Sequence, residues 1–280
     1  MIGVKDSTVK TLVNPVHITR SLFSNRELIL QFISREVSGK YKGSYLGILW
    51  SFITPLIMLC IYTFVFSFIF KVRWGLESSE SKLQFAFILF CGLTVFNVFS
   101  ECITRAPFLI ISNPSYVKKV FFPVEILPVS VLGAALVHYL VSLVILIAGV
   151  SMFIGPLSIH IFLLPLLLLP LSLTSLGLSW FLASLGVFIR DIGASISLFT
   201  QIMLFLTPIF YPLSAIPEKY QIFIKLNILS FFVEGARDII IFNRSFSWQW
   251  WSASMIGSLA VFIAGYVWFM KSKKTFADVV

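Results

Sequence analysis

The chain has 280 residues, of which 58% are hydrophobic and only 12% charged, with a formal net charge of +9. Soluble domains carry about 25% charged residues, so this composition excludes an ordinary soluble enzyme. It also argues against a nucleic-acid binder: the basic residues fall mainly between apolar runs, where they suit anionic lipid headgroups and the retention of loops on one side.

The first 20 residues are polar and lack the apolar core of a signal peptide, so the first span is expected to act as its own insertion signal. Residues 16–37 follow. At about 100° per residue, Ile18, Leu22, Ile29, Ile33 and Val37 share one face, while Arg20, Ser24, Glu27, Gln31, Ser34 and Arg35 lie opposite. This pattern predicts one amphipathic helix on the membrane surface, started by Asn14-Pro15. Next comes an uncharged run over residues 46–70. At about 1.5 Å per residue it crosses the hydrocarbon core, about 30 Å thick.

Further apolar runs give six predicted spans: 46–70, 85–103, 126–153, 161–189, 194–211 and 250–270. Pro165 and Pro170 predict a kink or a late start in the fourth. The division is a segment 1–45 with the amphipathic helix, a transmembrane domain 46–270 and a tail 271–280. With six spans both termini share a side, and 14 of the 21 Lys and Arg residues fall on that side. The positive-inside rule makes it cytoplasmic. On it, residues 112–123 open a short helix at Asn113-Pro114, with Lys118 and Lys119 toward the headgroups. Between spans five and six, residues 212–243 hold two apolar pieces too short to cross, broken by Glu218, Lys219, Lys225, Glu234, Arg237 and Asp238. They form either two short re-entrant helices guarding a pathway or a loop lying on the outer surface.

Catalytic chemistry is sparse. The chain contains no phosphate-binding loop of the G-x-x-x-x-G-K-[ST] type, no G-x-S-x-G elbow and no H-E-x-x-H. Cys60, Cys91 and Cys102 sit in apolar stretches without paired spacing and read as packed thiols. His138 is either a proton relay or a histidine hydrogen-bonded within the bundle; no acidic residue lies one turn from it, which favours the second. Glu101 and Arg105 form an i,i+4 pair at the end of the second span. No span has an acidic residue at its middle, which disfavours ion-coupled transport. Aromatic residues make up 16% of the chain. Rings at Tyr62 and Phe66, one turn apart, and at Phe210 and Tyr211 suit sugar C–H faces, although any one of them is equally an ordinary packed or lipid-facing ring.

A set of motifs carries a resemblance. Arg26-Glu27-Leu28, Arg35-Glu36, Lys40-Tyr41-Lys42-Gly43-Ser44, Leu46-Gly47, Trp50 and Pro55-Leu56 follow in order, then Arg190-Asp191-Ile192, Thr207-Pro208-Ile209-Phe210-Tyr211-Pro212, Pro217-Glu218, Asn227, Glu234 and Arg237. The chain resembles the permease subunit of type-2 ABC exporters for polysaccharides, a family that serves O-antigen, capsule and teichoic acid. Asn227-Ile228 departs from the family's usual Asn-Pro. The resemblance implies an all-α integral membrane protein with six transmembrane helices, an N-terminal interface helix and two short outer re-entrant helices. It implies a homodimer working with two copies of a separate ATP-binding cassette subunit, which would bind ATP and Mg; the chain itself would be no enzyme and need no cofactor. Glu27, Asn113, Pro114, Lys118, Lys119, Arg190 and Asp191 would meet the ATPase. Trp50, Tyr62, Phe66, Phe210 and Tyr211 would line the channel, and Asn227, Glu234 and Arg237 would form the outer gate. Arg26, Arg35, Lys40 and Lys42 would attract the diphosphate of a lipid-linked glycan, or serve only as positive-inside anchors. O-antigen is the first expectation among the glycans. A drug-type permease of the same family and an integral-membrane lipid-sugar transferase are the alternatives.

Overall fold

The structure, a computed structural model, describes residues 15–65, 82–118 and 122–279, and these contain helices and no strand. In chain order the α-helices are α1 (Pro15–Ser24), α2 (Arg26–Gly39), α3 (Trp50–Phe64), α4 (Lys82–Arg105), α5 (Pro114–Val117), α6 (Ile126–Phe153), α7 (Leu164–Phe188), α8 (Ile192–Leu206), α9 (Glu218–Leu226), α10 (Ile228–Ile240) and α11 (Trp248–Val279). Four apolar helices are long enough to cross a bilayer: Leu83–Phe108, Ile126–Phe153, Ile159–Phe188 and Trp248–Val279. The protein is therefore a multi-pass membrane protein.

Two of the six expected spans come out differently. α3 has 15 residues up to Phe64, and residues 66–70, which would complete the first span and include Phe66, lie outside the described residues. The fifth, expected over 194–211, is the 15-residue α8. It stops because Thr207 is extended and Pro208 disfavours helix at the residue before it. The fourth starts late, as its prolines predict. Ser158 caps a 3-10 turn (Ile159–Leu163), accepting from the His160 backbone N–H, and Pro165 sits in the first turn of α7. Residues 271–279, expected as a tail, continue α11, with Phe276 buried against Phe188 and Phe269.

α4 is the central helix. Its apolar stretch is 83% buried, against 28% for α11, and α3, α6, α7, α8 and α10 all pack on it. The most extensive pair is α7 with α11. There Gly177 and Gly265 bring the two backbones together, and Thr174 donates to Ser258 across the seam at 2.8 Å. Small residues at such a seam permit close approach where lipid supplies no hydrophobic drive between helices. At one end of this pair the Trp180 indole donates to the Glu125 carbonyl at 3.0 Å, and Lys273 reaches the Glu125 carboxylate at 2.7 Å.

The N-terminal segment has the predicted faces but a different shape and neighbour. It is two helices, broken at Asn25, rather than one. Ile18 and Val37 are buried, and Arg20, Glu27, Gln31, Ser34 and Arg35 are exposed. The apolar side of α2 is covered by α6 rather than left for lipid. Ile33 lies directly on Gly133 of α6, a position at which any side chain would collide with it. Cys91 and Cys102 are buried as predicted; Cys60 instead faces outward from α3.

Candidate functional site

At the end of the bundle where α2 meets α4, charged side chains converge. Glu36 pairs with Arg105 and, at 3.4 Å, with Arg35. Glu101 pairs with Lys40 at 3.6 Å, with Arg105 at 3.7 Å and with His138 Nδ1 at 3.2 Å. The Tyr41 ring meets His138 edge-on at 6.2 Å between centroids. Burial pushes the Tyr41 phenol up, the Glu101 carboxylate adds to this, and a hydrogen bond with Ser51 opposes it. His138 thus has an acidic partner after all, supplied by another helix 37 positions away in sequence. The cluster ties α2 and the residues after it to α4 and α6.

Behind this cluster opens a cleft of about 580 Å³ between α3, α4 and α6. Thr94, Asn97, Ser100, Glu101 and Thr104 line it from α4. A reading of ionisable groups alone misses this stripe. Its signal is nonetheless present: Thr94, Asn97, Glu101 and Thr104 follow at i, i+3, i+7 and i+10, one helical face in an otherwise apolar segment.

The three expected ATPase-facing elements sit at the same end. Arg35 stacks over Phe32 at 4.2 Å and over Tyr116 at 5.4 Å, and it donates to the Tyr116 hydroxyl at 3.1 Å. α2 is thereby fastened to the Asn113–Lys118 segment, in which Asn113 donates to the Leu109 carbonyl at 2.9 Å and Pro114 opens α5. Lys118 is exposed, and Lys119 lies outside the described residues. Arg190 and Asp191 are exposed in the turn before α8, and Gly193 beside them rests on the Phe108 ring. Glu27 lies exposed at the elbow of α1 and α2, in a second cleft of about 690 Å³. Of the four candidate diphosphate cations, Arg35 and Lys40 are engaged as described, and Arg26 stands over Phe23 at 4.7 Å. Lys42 is exposed and touches no charged partner among the described residues.

Among the candidate channel rings, Trp50 opens α3 partly exposed and Tyr62 packs half-buried against the core. Phe210 lies tilted against Phe205 with 5.8 Å between ring centroids, and Tyr211 donates to the Phe205 carbonyl at 2.7 Å. Both belong to the irregular segment that follows α8.

At that opposite end stand the two short helices α9 and α10. Asn227 caps α10 by accepting from the Leu229 N–H at 3.1 Å, so Ile228 serves at the first helical position without proline. Its amide also donates to Thr207 Oγ1 at 3.0 Å, fixing the elbow to the end of α8. Glu234 is 35% exposed. Arg237, the third residue expected at the outer gate, is fully buried. Its guanidinium donates to the carbonyls of Ile88 at 3.1 Å, Pro208 at 2.6 Å and Ile209 at 2.7 Å, and to Glu234 at 2.8 Å. It holds α10, α4 and the unwound end of α8 in one arrangement.

The helical bundle has short helices at one end and a cluster of paired charges at the other, the frame of a multi-pass membrane protein. The sequence matches the family model of the ABC-2 type transporter over residues 27–241, and the chain belongs to that family. Among its relatives are O-antigen export system permease proteins RfbA. One from Klebsiella pneumoniae is 26% identical over 197 residues, covering 70% of this chain and 76% of the relative. One from Myxococcus xanthus is 29% identical over 205 residues, covering 73% and 75%.

Proposed function

We propose that this chain is the membrane-spanning permease subunit of an ATP-driven exporter that carries lipid-linked polysaccharide, specifically O-antigen, across the cytoplasmic membrane. Membership of the ABC-2 type transporter family, with relatives named as O-antigen export permeases, carries this reading. Each chain crosses six times, with both termini cytoplasmic. The 15-residue α3 and α8 supply the two crossings beyond the four long helices. At about 22 Å each they need the uncharged residues 66–70 and the segment 207–211 to complete their passage. α9 and α10 form the outer gate, with Asn227 and Glu234 at its surface and Arg237 positioning it from below.

The chain acts as a homodimer. Exposed apolar rows support this on α3 (Phe52, Ile57, Ile61, Phe64) and on α8 (Leu198, Ile202, Phe205, Leu206). Two copies of a separate ATP-binding subunit, which bind ATP and Mg, dock on the surface that carries Glu27, Asn113, Pro114, Lys118, Lys119, Arg190 and Asp191. Their closure moves α2, and the contacts of Glu36 and Lys40 pass that movement to α4. The test is reconstitution of the chain in vesicles with labelled lipid-linked glycan. Flipping is expected only when the partner ATPase and ATP are both present; equally fast flipping by the chain alone would overturn the reading.

Lys42, exposed and without a charged partner among the described residues, is placed to meet the diphosphate headgroup. A charge-assisted contact is worth about 1.5–3 kcal/mol, so Lys42→Ala is expected to reduce export about tenfold or more at limiting substrate. The measurement is surface glycan in cells whose permease level and ATPase binding match wild type. Full export by Lys42→Ala, Arg35→Ala and Lys40→Ala alike would remove all three from headgroup recognition.

A further inference from the structure

α11 is longer than a membrane requires. It has 32 residues, and at about 1.5 Å each it extends roughly 18 Å past a hydrocarbon core about 30 Å thick. Its last residues are rich in charge, with Lys271, Lys273, Lys274 and Asp278. Such a stretch ordinarily stands in solvent or lies on headgroups. Here two of its side chains turn inward. Phe276 is 1% exposed, set against Phe269 at 5.3 Å and against Phe188 of α7 at 6.4 Å between ring centroids. Lys273 donates to the Glu125 carboxylate at 2.7 Å, and that carboxylate is 7% exposed.

Glu125 directly precedes α6. An acidic side chain at that position ordinarily turns onto the first N–H groups of its own helix. This one makes no such cap and reaches across the fold to Lys273 instead. Its carbonyl is held too: the Trp180 indole donates to it at 3.0 Å, and the Trp180 ring meets Phe262 and Tyr266 of α11 edge-on at 5.2 and 5.0 Å. Apolar side chains of the same volume would generally serve stability as well as a buried ion pair does, so the pair points to position rather than to strength.

The contacts lie at the ends of two segments already placed against the ATPase. Glu125 closes the stretch that begins with residues 113–118, and α5 within those residues itself touches α11. Phe188 is the last residue of α7 and leads into the turn that carries Arg190 and Asp191. One short piece of α11 therefore supports both segments, which are far apart in the chain.

We propose that residues 271–279 of α11 are a brace that sets residues 113–118 and the turn at Arg190 and Asp191 at the spacing the ATP-binding subunit requires, with Lys273, Glu125 and Phe276 as its positioning residues. The proposal rests on the export reading given above and adds to it a role in coupling for the end of the last helix.

The test titrates the ATP-binding subunit that co-purifies with the wild-type chain onto the full-length chain held in nanodiscs. Lys273→Gln is compared with Lys273→Arg, which keeps the charge, and with Lys274→Gln, which removes the same charge from an exposed neighbour. A docking surface correctly set in only about a tenth of molecules weakens the apparent affinity about tenfold. Lys273→Gln is expected to show a loss of about that size, while Lys273→Arg and Lys274→Gln bind as wild type does. Melting midpoints are recorded for the same samples without the subunit. A midpoint lowered in Lys273→Gln with binding unchanged would make the pair a stability contact only and overturn the proposal. Equal weakening by Lys273→Gln and Lys274→Gln would show an effect of bulk charge and overturn it as well. Should Lys273→Gln fail to accumulate, Phe276→Ala against Phe276→Leu makes the same comparison. If no ATP-binding subunit co-purifies with the wild-type chain, the export reading fails and takes the brace with it; if one does and every variant binds it alike, the brace alone fails.

Discussion

Arg237→Leu is expected to abolish accumulation of folded protein. The substitution removes a fully buried guanidinium that donates to three carbonyls from two separate segments and pairs with Glu234. Each buried acceptor left unmet costs about 1–3 kcal/mol, and breaking a buried ion pair from one side costs about 3–5 kcal/mol. Whole domains are stable by only about 5–15 kcal/mol, so one side chain accounts for a large part of the margin. Arg237→Lys restores the charge opposite Glu234 but cannot reach the Ile88, Pro208 and Ile209 carbonyls together, because a single ammonium lacks the planar fork. It should fall between wild type and leucine. Gly92→Ala tests the same contact from the other side, since a Cβ there would stand 2.9 Å from Arg237 Nη2. The measurements are monodispersity on size-exclusion chromatography and the melting midpoint in detergent. A midpoint for Arg237→Leu within about 2 °C of wild type, equivalent to under 1 kcal/mol, would show that the clamp carries little of the fold.

Gly265→Leu is expected to be nearly as severe, for a steric reason. A Cβ at residue 265 would collide with the carbonyl of Gly177, and one at residue 177 would stand 2.5 Å from the Val261 carbonyl. Both obstacles are backbone, so no rotamer change relieves them; α7 and α11 must separate. Separation also breaks the Thr174–Ser258 hydrogen bond, worth about 0.6 kcal/mol in comparable membrane bundles. Overpacking a well-fitted core costs about 1–3 kcal/mol and occasionally more, and this seam is the most extensive among the described helices. Gly257→Ala on the same helix is the control, because nothing lies within 4 Å of its added Cβ. It should gain about 1 kcal/mol from helix propensity. Melting curves for the two variants decide the matter: equal midpoints would mean that the seam is not close-packed in the membrane.

Much of the candidate site is readable residue by residue, while its grouping is not. The N-terminal faces come from a 3.6-residue period, and burial of Ile18 and Val37 agrees with them. The period cannot tell whether such a face meets lipid or another helix, and here α6 covers it. It also passes smoothly through Asn25, where the chain turns, because a break of one residue leaves the hydrophobic count almost unchanged. On its own helix His138 has no acid one turn away; its partner Glu101 comes from α4. Arg237 stands in a row of charged residues that resembles a wet surface, and only the carbonyls of Ile88, Pro208 and Ile209 account for its burial.

By itself the sequence determined that this is a helical, multi-pass membrane protein of a recognisable exporter type, because hydropathy, proline positions and basic-residue placement act locally on each segment in lipid. Tertiary structure alone decided which polar groups answer one another: Glu36 with Arg105, Glu101 with His138, Arg237 with two distant stretches of backbone, and Gly177 with Gly265. Those pairings depend on how the helices rotate and cross, and that is set by packing among residues far apart in the chain rather than by any local pattern.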